Sequence, residues 1–178
     1  MSDYSLDTPS PARRARISAE DRRCAAVHEA GHIVVAKYLG LPAVQAEIRK
    51  NVPQYYTEKW VGSTRCLMED VDARTRIMVA VAGAVAEACW RDEIFDELYT
   101  TLEDFPEQMS QSDWEMSGCS PGAVSEQFWD AMERVFESLN RDTGQLWTVL
   151  LREARSLIEG ARLTAEHSMH PEPRGFGR

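Results

Sequence analysis

From Ile77 to Ala86 the chain runs for ten residues without a polar side chain, its longest apolar stretch. A membrane-spanning helix needs roughly 20 such residues, so this run is too short to cross a bilayer. Extended to Val71–Trp90, the segment is apolar nearly all round, which is the pattern of a helix with no solvent face. Other elements must wrap it, and that commits the chain to a globular domain with this segment at its centre. Composition allows this: of 178 residues, 43% are apolar and 28% charged. That balance and length suit a single domain.

The wrapping elements read as mostly helical. Ser18 and Asp21 have the spacing of a capping box, and the amphipathic run after them ends at Gly40 and Pro42. Along it, Cys24, Val27, Gly31, Val34 and Tyr38 form one stripe at helical spacing. Val44, Ala46 and Ile48 alternate with polar residues and predict a short strand, with a second extended piece at Trp60 to Leu67 to pair with it. Pro53 marks a turn between them. Residues 91–113 are acidic and weakly periodic, and read as a loop holding at most a short helix. Ser120-Pro121 suits the start of the next helix, whose inner face is Phe128, Ala131, Met132, Val135, Phe136 and Leu139. A last helix from about Thr143 to Leu163 presents Trp147, Leu150, Leu151, Ala154, Leu157 and Ile158. Residues 1–17, with Arg13, Arg14 and Arg16, read as a mobile arm, and 166–178 as a flexible tail. The expected fold is mainly α with a small β element, an α+β domain over 18–165 ending in a C-terminal helical bundle.

One motif stands above the rest: His28-Glu29-Ala30-Gly31-His32, an HExxH inside the first helix. Four residues advance a helix only about 40° past a full turn, so both imidazoles leave the same face and can bind one metal ion. Zinc is the default for two His and an oxygen ligand. Glu29 is set to reach a water polarised by the ion, the place of a general base in metal-assisted peptide hydrolysis. The flanks Ala25-Ala26-Val27 and Ile33-Val34-Val35 are apolar, as a buried active-site helix requires. Candidates for a third ligand on spacing are Glu87 and the acids Glu103, Asp104 and Glu107. Glu87, in its apolar run, serves as a ligand or as a partner that holds a ligand His. His167 and His170 fall in the tail and read as solvated. Trp60, Trp90, Trp129 and Trp147 read as core or interface anchors.

These residues resemble the peptidase domain of the FtsH-type, membrane-anchored AAA zinc proteases. Besides HEAGH followed by Val34-Val35-Ala36, Gly83, Ala86 and Glu87 match that family's G-x-A-A-E helix. Ser112-Asp113-Trp114-Glu115 resembles its S-N-D-L-E segment, whose Asp is the third zinc ligand. The resemblance spans roughly residues 18–165 and implies a zincin-like fold with Asp113 completing the metal site. It departs from the family at Ala84-Val85, where Arg precedes the paired Ala, and across Arg91 to Gln111. No Walker A loop and no membrane helix occurs, so the chain reads as a stand-alone relative of the peptidase domain.

The expected function is that of a zinc metallopeptidase acting on protein or peptide substrates. A non-catalytic binding or assembly module that keeps the fold and metal site is the alternative, and hydrolysis of a non-peptide amide is a third reading. A net charge of −9 argues against non-specific binding to nucleic acid or anionic lipid. Cys24, Cys66, Cys89 and Cys119 show no CxxC pairing and read as reduced thiols of a cytoplasmic protein. The family assembles as rings fed by an ATPase, which leaves a homo-oligomer and a separate ATPase partner as open questions here.

Overall fold

The computed structural model describes residues 11–51 and 59–169. Helix α1 (Pro11–Tyr38) is followed by strands β1 (Gln45–Asn51) and β2 (Lys59–Arg65), then α2 (Ala73–Trp90) and α3 (Phe95–Asp104). A 3₁₀ turn at Pro106–Gln108 leads to α4 (Gln111–Ser117), α5 (Glu126–Leu139) and α6 (Trp147–Met169). The chain is thus an α+β fold, mainly helical, with one two-stranded antiparallel sheet.

Helix α2 is the centre. Asp72 caps it by accepting from the Thr75 N–H and hydroxyl, and every residue from Val79 to Ala86 is buried. Helix α1 crosses it on one side and α5 packs on it with the six apolar residues of its predicted face, all buried. Helix α6 lies against α1 rather than α5, with Leu150 and Ala154 innermost and Leu151 turned to solvent. Small residues set the α1–α2 distance. A Cβ on Gly31 would stand 2.3 Å from the Ala82 carbonyl oxygen, and one on Gly83 would stand 2.4 Å from the His28 ring.

Several boundaries differ from expectation. Residues 11–17 of the expected arm are helical, so Ser18 lies within α1 rather than at its cap. The acidic stretch 91–113 holds α3, the 3₁₀ turn and the start of α4. Ser120-Pro121 starts no helix: Ser120 bridges to Ala123 around Gly122 at φ 74°, and Ser125 caps α5 instead. The end of α1 is as expected, with Gly40 left-handed at φ 76° while the Leu41 N–H reaches back to Ala36. Tyr38, at the end of the predicted stripe, is exposed. Helix α6 continues past His167 to Met169, into the expected tail, while the turn at Pro53, the first ten residues and His170 lie outside the described residues.

The sheet lies on α1. In its register Ile48 faces Gly62 and Lys50 faces Trp60. The Trp60 N–H donates to Asp21 of α1 at 2.6 Å, so it points away from β1. In an antiparallel pair the orientation repeats every second residue, which turns the peptide groups of Gly62 and Thr64 to the same edge, the one away from β1, which no strand among the described residues covers.

The α1–α2 contact makes opposite forecasts for two glycines. Gly31→Ala should cost about 3 kcal/mol or more by overpacking. Gly160→Ala in α6, where a Cβ meets nothing within 4 Å, should gain about 0.5–1 kcal/mol of helix propensity. Urea denaturation checks both, and equal effects at the two sites would contradict the close α1–α2 contact.

Candidate metal centre

His28 and His32 leave α1 towards α2, and α2 decides which ring nitrogen each presents. His32 Nδ1 lies 2.7 Å from the Val79 carbonyl oxygen, which only accepts, so Nδ1–H donates. His28 Nδ1–H donates to Glu87 Oε1 at 2.8 Å. Both Nε2 atoms therefore turn inward, 3.2 Å apart. The rings meet nearly edge-on, with centroids 4.9 Å apart and planes at 69°.

Asp113 supplies the third group. It stands in the first turn of α4, where the helix dipole favours a carboxylate. Ser110 fixes it twice, accepting from the Asp113 N–H at 3.1 Å and donating its hydroxyl to Oδ2 at 2.7 Å. The adjacent Trp114 stacks on Phe128 of α5 and donates from Nε1 to the Pro106 carbonyl, which anchors α4 in the core. Asp113 Oδ2 lies 3.5 Å from His28 Nε2, and Oδ1 3.5 Å from His32 Nε2. Among the described residues, one donor atom from each of His28, His32 and Asp113 lies within 4.8 Å of the other two.

This donor set fits a zinc ion. Ligands at 2.0–2.1 Å around a tetrahedral ion stand about 3.3 Å from one another; the two Nε2 atoms are 3.2 Å apart, and each has its own Asp113 oxygen at 3.5 Å, Oδ2 for His28 and Oδ1 for His32. Three acceptors converging in a buried pocket repel one another unless a cation or a proton lies among them. The titration behaviour reflects this. Burial opposes charging His28, but the hydrogen bonds to Asp113 and Glu87 and the charges of Glu87 and Glu29 outweigh it and push the ring up to about 10. Burial and the neighbouring His28 charge push His32 down. Asp113 is held below the usual carboxylate range: burial opposes ionisation, and hydrogen bonding with His28 and Ser110 and the charges of both rings prevail.

Glu29 projects from α1 beside this cluster, against β2. Its Oε2 accepts from the Thr64 hydroxyl at 2.6 Å, and the side chain is only 6% exposed. A Cβ on Gly62 would lie 2.2 Å from Glu29 Cγ, so a glycine there is what lets the acid sit against the strand.

Of the carboxylates weighed for the third position, the fold brings Asp113 to the inward faces of both rings and Glu87 to the outward face of one. Asp113 is buried, while Gln111, Ser112 and Glu115 beside it are exposed. Glu103, Asp104 and Glu107 are exposed and outside the cluster. The sequence carried no clear sign of Thr64, Ser110 or Trp114 as supports. Ser110-x-x-Asp113 was legible as a helix start, but an acidic, weakly periodic stretch hid it. Trp129 packs on Tyr99 and Phe128, and Trp60 lies under the Arg22 guanidinium, 5.5 Å from its ring centre. All four cysteines are free. Among the described residues no helix is long and apolar enough to cross a membrane. Comparison with protein-family models gives no match, and neither does comparison with curated proteins.

The geometry separates two acids by their effect on metal affinity. Glu87→Gln should weaken zinc binding by about 10–100-fold, the usual cost of losing a partner that orients a ligand His. Asp113→Asn should weaken it further than that. Chelator-competition titrations of the two variants test this, and a greater loss in Glu87→Gln would reverse the roles.

Proposed function

We propose that this chain is a zinc-dependent metallopeptidase in which His28, His32 and Asp113 hold the metal and Glu29 is the general base. The observation that carries the reading is the convergence of one donor atom each from His28, His32 and Asp113 within 4.8 Å of one another, with a separate carboxylate beside them. Bound zinc would supply a Lewis acid that polarises a scissile carbonyl and makes water a stronger acid. Glu29 is not needed to complete the donor set, and takes the proton from water before delivering it to the leaving amine. Thr64 holds Glu29 Oε2 and Gly62 backs the rest of the carboxylate, which keeps it beside the ligands. The resemblance of HEAGH, of Gly83, Ala86 and Glu87, and of Ser112-Asp113-Trp114-Glu115 to FtsH-type peptidase domains supports the same assignment.

The substrate we propose is an extended peptide or an unfolded segment. Gly62 and Thr64 turn their peptide groups to the free edge of β2, and the same two residues face Glu29. A chain added as a strand along that edge would lay its backbone next to the base. Asp21 occupies the Trp60 N–H and ends the edge on that side.

Glu29→Gln should retain zinc and fold while cleavage of an unfolded peptide falls by about 100-fold or more, because the amide cannot take the proton. Zinc content, circular dichroism and peptide cleavage read these three quantities. Retained activity would assign the base elsewhere. A zinc-loaded parent chain that cleaves no peptide at all would favour the binding-module reading instead.

A further inference from the structure

Arg91 follows α2, four residues beyond Glu87, and its backbone N–H closes the helix on the Glu87 and Cys89 carbonyls. Its guanidinium folds back and donates from Nη2 to Glu87 Oε2. The same oxygen accepts the Cys24 thiol from α1 at 2.9 Å, and Arg91 Nη2 lies 3.5 Å from that sulfur. Glu87 Oε1 is thereby left to His28. A carboxylate turns easily about its last bond, so a glutamate held only by His28 would let the ring swing with it. Two donors on Oε2, one from each helix, remove that freedom.

We propose that Arg91 is a positioning residue for the metal centre: with Cys24 it locks Glu87, and through Glu87 it fixes the direction in which His28 presents Nε2. This rests on the reading of His28, His32 and Asp113 as metal ligands. An ordinary i,i+4 pair on a helix surface contributes little. This pair differs because its acceptor is a carboxylate only 18% exposed, shared with a thiol from another helix and with a candidate ligand. Arg91 Nη1 also lies 3.7 Å from Glu93, a contact that leads away from the centre and provides a control.

The test is zinc affinity of the full chain by chelator competition at fixed pH, with thermal melts in excess chelator to report the fold. Arg91→Ala should weaken zinc binding about 10-fold, the low end for a partner outside the ligand set. Arg91→Lys, which can still donate to Oε2, should recover most of that loss, and Glu93→Gln should change nothing. In a Glu87→Ala background Arg91 has nothing left to hold, and Arg91→Ala should cost less than about 2-fold more, the non-additivity expected of residues acting in series. Equal losses in both backgrounds, or no loss in the single variant, would overturn the proposal. A parent chain that binds no zinc would remove the site reading and this inference together. A parent that binds zinc and loses it in His28→Ala, while Arg91→Ala is silent, would remove the inference alone.

Discussion

The close crossing of α1 and α2 is the constraint on which the rest depends. Gly31 lies against the Ala82 backbone and Gly83 against the His28 ring, so neither helix holds a side chain that would separate them. At that distance α2 reaches both histidines from behind, with a main-chain carbonyl for His32 and a carboxylate for His28. Move the helices apart by the thickness of a methyl group and both Nδ1 atoms lose their acceptors, and with them the reason for Nε2 to face inward. The candidate metal centre is thus a consequence of backbone packing first and of side-chain identity second.

Charge explains why so polar a cluster is tolerated beside the core. Glu29, Glu87 and Asp113 bring three carboxylates into a small volume, and Arg91 with a proton on His28 offsets only part of that. A divalent ion with both rings neutral would balance the three acids against Arg91. The shifts follow these neighbours: the surrounding carboxylates push His28 up, while hydrogen bonds with His28 and Ser110 and the charge of the rings push Asp113 down. Cys24, pushed up to about 12 by burial and by the Glu87 charge, remains a thiol that donates rather than a thiolate that competes for metal.

What could be read from the sequence followed from strong periodicity. The buried α2, the inner face of α5 and the alternation of Val44, Ala46 and Ile48 each rest on several residues agreeing, and the stop at Gly40 on a glycine and a proline together. HEAGH was legible because helical geometry alone puts both imidazoles on one face. The failures fall where one local signal stood by itself. Ser18 and Asp21 have a cap's spacing, but helical backbone already runs through residues 11–17 and continues through them. Ser120-Pro121 lost to Ser125, since Gly122 turns the chain before the amphipathic face begins. In residues 91–113 the helices are short and caps rather than periodicity define them: Glu97 accepts the Ile94 N–H, and Ser110 caps α4. The third ligand candidate needed tertiary structure to place it, since the choice between Asp113 and Glu87 depends on which side of the His28 ring each approaches.

Anomalous diffraction at the zinc edge on crystals of zinc-saturated protein shows whether α1, α2 and α4 build one cation site. A single strong peak is expected about 2.0–2.2 Å from His28 Nε2, His32 Nε2 and an Asp113 carboxylate oxygen, with Glu87 remaining on His28 Nδ1. A peak ligated by Glu87, a peak elsewhere on the chain, or none at this position under saturating zinc would contradict this assignment.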